Sequence, residues 1–358
     1  MAISTIPSAG ITGGGFNFRN LIINGDMSIH QRGTNVTANN GFGVDRFIYN
    51  ESANFDERVF TFGQDTDVPT GQGFAKSMKV NVTTPETTIA SDEYARIMTR
   101  LEGQNLQQLK YGTASAESVT LSFWLKTNVT GNFALSLFQD DDSRIIGTTY
   151  SATSSGVWEK ITITFAGDTT GIIDNDNGSG LRVMFILDAG SNFTSSDNTS
   201  WGSYSNEKLG YGQTASVFGT TSGYWNVTGV QLEVGTTVSD FEFLPYDVNL
   251  QRCMRYYFNH YTPDDNGLYG LFTAHTSTAG RMPYRFVVPM RDAPTVSSST
   301  ASGFTWLGNN TAGNPSAIGS ESLNKYSCTV NLTGSFTQGY SYWLAGSTST
   351  ELRFDAEL

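Results

Sequence analysis

Three consecutive carboxylates, Asp140-Asp141-Asp142, form the densest acidic cluster of the chain. Sugar hydrolysis needs two carboxylates flanking the scissile bond, one of them with a raised pKa. Adjacent aspartates in a polar turn point in different directions, so the cluster reads as a solvated turn, with a calcium site as the alternative ahead of catalysis. Asp174-Asn175-Asp176-Asn177-Gly178 has the opening of a calcium loop but lacks the downstream bidentate Glu. The histidines His30, His260 and His275 are far apart and show no metal-ligand spacing. They read as strand or surface residues. No nucleophile elbow accompanies the many serines. Gly13-Gly14-Gly15 lacks the Lys-Ser/Thr of a phosphate loop. No catalytic residue is assigned, and the chain is expected not to be an enzyme.

Non-covalent sugar binding asks for different residues: flat aromatic faces bordered by amides, carboxylates or guanidinium groups. The stretch from Phe193 to Tyr211 supplies that mixture in Trp201, Tyr204 and Tyr211 with Asn198 and Asn206. It is rich in Ser, Gly and Asn and longer than a hairpin requires. A half-covered aromatic contributes roughly 1–2 kcal/mol by area, so one such site is weak. The structural alternative is that Trp201 only pins the loop. Trp124, Trp158 and Trp225 lie in strong strand patterns and read as core.

The elements that must position these groups are strands. The chain has 358 residues, enough for two domains. Only 15% of residues are charged, 38 are glycine, and 13% are aromatic, which suits short strands, tight turns and large aromatic cores. Val119 to Lys126 places a large apolar side chain on nearly every second position. Strand patterns recur from Asp45 to Leu232, and Leu21–Ile23 and Met27–Gly33 are expected to be strands as well. The run Glu93 to Glu102 fits helix or strand, and its setting favours strand. Leu106–Leu109 reads as a short helical turn. At Val227–Phe258 the hydrophobic period switches from two to about 3.6, which predicts a final core strand followed by a short amphipathic helix. The expected fold is all-β: a jelly-roll β-sandwich over 19–246, a helical connector over 247–258 and a smaller β-sandwich over 259–358. Residues 1–18, with Ile3, Ile6 and Ile11 among Ser, Thr, Pro and glycines, have no period and read as an attachment arm.

The net charge of −12 argues against a general nucleic-acid binder and against docking on anionic lipid. No apolar run reaches membrane-spanning length. No secretory signal is recognisable, so synthesis and retention in a cytoplasm are expected. Cys253 and Cys328 read as small buried apolar groups, not as a bridge.

Several blocks in shared order resemble a known family. They are Asn20-Leu21-Ile22-Ile23-Asn24-Gly25-Asp26 with Gln31-Arg32-Gly33-Thr34 and, further on, Asp45-Arg46, the strand from Val119 to Lys126, Trp158 to Ile163, and Gly167 to Gly171. Val227-Thr228-Gly229-Val230-Gln231-Leu232-Glu233-Val234-Gly235 with the following Pro245-Tyr246 and Arg252-Cys253, then Pro289 to Thr295 with the terminal Phe354-Asp355-Ala356-Glu357-Leu358, complete the order. Together they resemble tail fibres and other surface proteins of tailed bacteriophages that carry a carbohydrate-binding-module-like jelly roll. The resemblance implies a structural calcium near the first strand, with Asn24, Asp26 and Glu233 as candidates by position. It also implies a homotrimer. The expected role is a tail-fibre-type adhesin on the virion surface, made in the host cytoplasm. It would hold other virion proteins through its arm and host surface glycan through its loops, without membrane insertion. A capsid decoration or tail adaptor is the alternative, and a polysaccharide-degrading enzyme comes third.

Overall fold

A computed structural model of the chain describes residues 18–33, 36–37, 39–52, 55, 57–261, 267–347 and 350–358. Apart from Phe18, the expected attachment arm lies outside the described residues.

The fold is all-β with one α-helix. The first twelve strands are β1 (Phe42–Val44), β2 (Phe47–Glu51), β3 (Val59–Asp65), β4 (Ser77–Thr84), β5 (Tyr94–Glu102), β6 (Val119–Thr127), β7 (Phe133–Gln139), β8 (Arg144–Tyr150), β9 (Glu159–Phe165), β10 (Ser179–Ala189), β11 (Gly202–Ser203) and β12 (Tyr224–Val234). They form two sheets, ordered β1-β2-β5-β10-β7-β8-β11 and β3-β4-β12-β6-β9. Strand β6 shows why. Val119, Leu121, Phe123 and Leu125 point into the shared core, while Trp124 and Lys126 alternate to the other face. Trp124 is therefore half-buried on the outside and not core as expected. Trp158 likewise sits half-buried and donates to Asp67 Oδ1 (3.0 Å). Trp225 alone of the three is fully buried, donating to the Tyr150 hydroxyl (3.1 Å). The ambiguous run Glu93 to Glu102 is strand β5, paired along its length with β10.

Leu21–Ile23 and Met27–Gly33 are not strands. Side-chain amides replace the ladder there. Asn20 Oδ1 accepts from the N–H of Ile22 (3.0 Å) and Leu232 (3.1 Å), and its Nδ2 donates to the Val230 carbonyl (3.0 Å). Gly229, with φ of 64°, breaks the β12–β6 register so that the Val230 N–H turns to the Gly25 carbonyl (2.9 Å). A side chain on Gly25 would collide with that same Val230 carbonyl oxygen.

The helix α1 (Tyr246–Met254) is shorter than expected. Tyr257 and Phe258 already belong to the next strand, paired with Asp355 and Phe354. That strand, β13 (Tyr257–Tyr261), is followed by β14 (Gly267–Ala274), β15 (Ala279–Arg285), β16 (Thr295–Ser298), β17 (Phe304–Gly308), β18 (Thr311–Gly313), β19 (Ala317–Glu321), β20 (Ser327–Thr333), β21 (Ser341–Gly346) and β22 (Glu351–Asp355). Sheets β13-β22-β16 and β18-β17-β21-β14-β15-β20-β19 enclose a second core around Phe272, Phe304, Leu344 and Phe354. Pro283 lacks an N–H, and β15 pairs with β14 only as far as Arg281, so its missing donor faces no β14 acceptor. Cys253 and Cys328 are both buried free thiols.

The two sandwiches meet through buried charge. Arg46, in the turn between β1 and β2 with φ of 73°, stacks its guanidinium 3.5 Å from the centre of the Tyr256 ring. It also donates to Glu357 and to the Arg100 carbonyl (2.6 Å). The two ionic side chains are 3% and 8% exposed. Burial, the largest single effect, lowers the Arg46 pKa, but Glu357 together with Tyr256, Cys253 and Glu102 outweighs it and holds the guanidinium above its ordinary value. Beside them Arg255 meets Glu102 through two contacts of 2.7 Å. Gln31 bridges Asp45 (2.6 Å) to the Tyr257 carbonyl (2.7 Å).

Removing one partner of a buried pair leaves the other charge uncompensated, at a cost of about 3–5 kcal/mol. Arg46→Met is expected to lower stability by that amount in urea unfolding, and adding Glu357→Gln to restore part of it. A single variant within 1 kcal/mol of the parent would show that the pair does not hold the junction. A second expectation concerns Asp188, which accepts from the Phe218 N–H (2.8 Å) and from Ser216. Burial pushes its pKa up to about 7 despite those bonds. The folded state then binds this proton more tightly than the unfolded chain, so its contribution falls as pH rises from about 4 to about 7 and is flat above. Unfolding midpoints across that window should decline less for Asp188→Asn than for the parent; parallel curves would exclude Asp188 as the source.

Candidate functional site

Strand β5 carries two faces. Ala95, Ile97 and Leu101 enter the core, and Tyr94, Arg96, Met98 and Arg100 alternate outward. On that outer face Ile48, Met98, Met184 and Ile186 from three strands form an apolar floor. A loop over 190–212 covers one end of it with Phe193 and Leu209.

Beside the covered end lies a half-exposed strip of aromatic rings and hydrogen-bonding groups. Arg182 from β10 sits 5.1 Å over the Phe138 ring of β7 and is paired with Asp140. Tyr204 stands edge-on to Phe138 with centroids 5.1 Å apart, and its hydroxyl donates to Asn206 Oδ1 (2.9 Å). Across the sheet Arg96 lies 5.0 Å over Tyr94 and donates from Nε to Asn50 Oδ1 (2.9 Å). The Tyr94 hydroxyl donates to the same oxygen (3.3 Å). Burial pushes the Arg96 guanidinium pKa down and the Tyr204 hydroxyl up. The strip therefore offers ring faces together with cationic donors and amide groups.

The sequence candidates divide between two faces of the sheet. Tyr204 and Asn206 belong to the strip. Trp201 lies on the other side of the short strand β11, where it packs against the main core and edge-on to Tyr111 at 5.7 Å. Its Nε1 donates to the Ala166 carbonyl (2.7 Å). Asn198 is buried, donating from Nδ2 to the Lys208 carbonyl (2.7 Å) and Ser136 Oγ (3.2 Å). The missing side chain of Gly147 leaves room for that amide. Tyr211 is half-buried, and among the described residues no ring contact joins it to Trp201 or Tyr204.

The calcium candidates have separate partners. Asn24 bonds the main chain of Ile29 and Asp45 through both amide atoms. Asp26 accepts from Ser28 and Asn249. Glu233 accepts from Ser239 (2.7 Å) and Gln231 (3.1 Å). Among the described residues no group of three or more His, Cys, Asp or Glu is arranged to hold a metal ion. The Asp140-Asp141-Asp142 turn is a tether for its neighbours. Asp140 accepts from Ser179 Oγ (2.6 Å), Asp141 from the Asp174 N–H (2.9 Å) and Asp142 from the Ile172 N–H (2.7 Å).

Sequence reasoning missed Arg96, Arg182, Phe138 and Asn50 as site residues. The alternation Tyr94, Arg96, Met98, Arg100 was a legible signal, whereas the cross-strand neighbours β2, β7 and β10 were not.

No family model and no curated protein matches the chain in sequence. Among solved structures it is similar to the enzymatically active domain of tailspike protein 4 of bacteriophage CBA120, at 12% identity and a TM-score of 0.34. That match covers 60% of this chain and only 21% of the tailspike chain. It is also similar to the family 11 carbohydrate-binding module of the Clostridium thermocellum cellulase Lic26A-Cel5E, at 12% identity and a TM-score of 0.30, over 57% of this chain and 97% of that one. The tandem family 22 carbohydrate-binding modules of Paenibacillus barcinonensis Xyn10C match over 90% of this chain and 89% of theirs, at 9% identity and a TM-score of 0.27.

Proposed function

We propose that the protein is a glycan-binding adhesin on a phage virion surface, acting without covalent chemistry. The observation that carries this reading is the outer-face strip, in which Tyr94, Phe138 and Tyr204 stand among Arg96, Arg182, Asn50 and Asn206. Pyranose faces pack on rings, and ring hydroxyls take amide and guanidinium partners. The sequence blocks that resemble tail-fibre modules supply the biological setting, with residues 1–18 as the attachment arm. A single strip of this kind binds weakly. Three copies on one particle raise avidity by about 10²–10⁴.

Self-association has support of its own. Leu271, Trp343 and Leu307 sit side by side on β14, β21 and β17, all facing outward. Trp343 is 49% exposed. A rank of large apolar side chains across three strands suits contact with another copy.

Tyr204→Ala is expected to weaken binding to host cells or glycan by about tenfold, from the area its ring would cover, at unchanged melting temperature. Arg182→Ala should act in the same direction. Trp201→Ala, on the opposite face, should leave binding alone. Full binding by the Tyr204 and Arg182 variants would discard the strip. Trp343→Ser should reduce the mass measured by light scattering from trimer toward monomer; an unchanged mass would remove that rank from the contact.

A further inference from the structure

A groove of about 800 Å³ runs between the two sandwiches, within the roughly 300–1,000 Å³ range of small-ligand sites. Five basic side chains line it: Arg100, Arg252, Arg255, Arg291 and Lys325. That is five of 21 in a chain whose net charge is −12. Two carboxylates, Glu102 and Asp176, accompany them. Glu102 is committed to Arg255, and Asp176 accepts from the Gly178 N–H (2.8 Å).

Among the described residues no groove-lining carboxylate pairs with the other four cations, and Glu242, outside the groove lining, acts on Arg252. Arg291 bonds only carbonyls, those of Ala356 (2.7 Å), Glu357 (3.1 Å) and Asn177 (3.1 Å). Arg100 donates to the main-chain oxygen of Leu358, and burial with the neighbouring Arg182 pushes its pKa down to about 10. Arg252 lies 5.8 Å over the Phe18 ring, and Lys325 lies 5.3 Å from the exposed Tyr326 ring. Residues 1–17 contain no charged side chain, so they add no counter-charge. Gathering cations in a concave site without matching carboxylates costs self-repulsion unless an anion completes it. Gln104, Asn105, Gln108 and Asn177 add amides along the wall, and Tyr326 adds a ring.

We propose that this junction groove binds an acidic saccharide, its carboxylate or sulfate held by Arg252 and Lys325 and its hydroxyls by the amide wall. Forked guanidinium donors suit a carboxylate or sulfate, and the amides suit a sugar more than a bare ion. The choice of a saccharide rests on the adhesin reading, whereas the cation set does not.

The test is calorimetric titration of the full chain with a galacturonic-acid tetramer and a heparin-derived tetrasaccharide, against cellotetraose and sodium sulfate. The parent should bind at least one acidic probe saturably, at least tenfold more tightly than cellotetraose. Arg252→Gln/Lys325→Gln, with its melting temperature checked, should lose at least tenfold for that probe. Raised salt should weaken the parent. Absence of saturable binding to both acidic probes overturns the inference. So does equal binding by parent and double variant, or competition by sulfate ion as strong as by the tetramer. Tyr204→Ala distinguishes this from the adhesin reading. If it alone changes cell binding while the double variant titrates like the parent, the groove fails and the adhesin reading stands. If the double variant loses the acidic probe and Tyr204→Ala changes nothing, the groove stands and the outer strip fails.

Discussion

The buried pair of Arg46 and Glu357 constrains the whole molecule. A charge out of water must be met by an opposite charge and by hydrogen bonds in good geometry, or it is severely destabilising. Arg46 belongs to the first sandwich, and Glu357 and Tyr256 to the chain beyond α1. Their contact can form only when both bodies are placed correctly. Arg32 adds to the same constraint, 3.6 Å over the Tyr257 ring and 3.4 Å from Glu357. Hydrophobic contact alone would tolerate sliding. A guanidinium held between one ring, one carboxylate and one carbonyl does not.

That fixed junction sets the walls of the groove. Arg100 and Glu102 come from the end of β5, Arg252 and Arg255 from α1 and the turn after it, and Arg291 and Lys325 from loops of the second sandwich. The strand that presents Arg96 to the outer strip thus presents Arg100 to the junction, two pleats further along the same face. One alternation in sequence serves two surfaces, and the core needs only the opposite parity.

Much of the fold was legible for that reason. Val119 to Lys126 shows a period of two with large apolar side chains, and a strand buried on one face produces that pattern directly. The tryptophans show where pattern reading stops. Trp124 lies in a strong strand but at the wrong parity for the core, and Trp201 and Tyr204 are three residues apart, on opposite faces of a two-residue strand. A composition count groups them, whereas the pleat separates them. The segment around Leu21–Ile23 looks like a strand because its apolar residues are consecutive. It is held by the Asn20 amide, whose bonds to Val230 and Leu232 reach more than two hundred positions ahead. The expected helix runs past the observed one because Tyr256, Tyr257 and Phe258 stay apolar after Met254, and period alone does not mark the change to a strand. Arg46 and Glu357 both fall in blocks of the family resemblance, but nothing in the sequence signals their pairing across 311 positions.

The distribution of charge joins these parts. A chain with 33 acidic and 21 basic residues repels anions at long range. Screening confines that repulsion to about 8–10 Å at ordinary salt. Inside the groove five basic side chains outnumber two carboxylates. A long polyanion lying on the outside meets net repulsion along most of its length. A short acidic unit, or the end of a chain, can enter the groove and meet only the local excess of positive charge. The acidity of the whole and the basicity of the junction therefore act together in the proposed site: the first disfavours extended polyanions at long range, and the second favours an anion small enough to leave the outer surface behind.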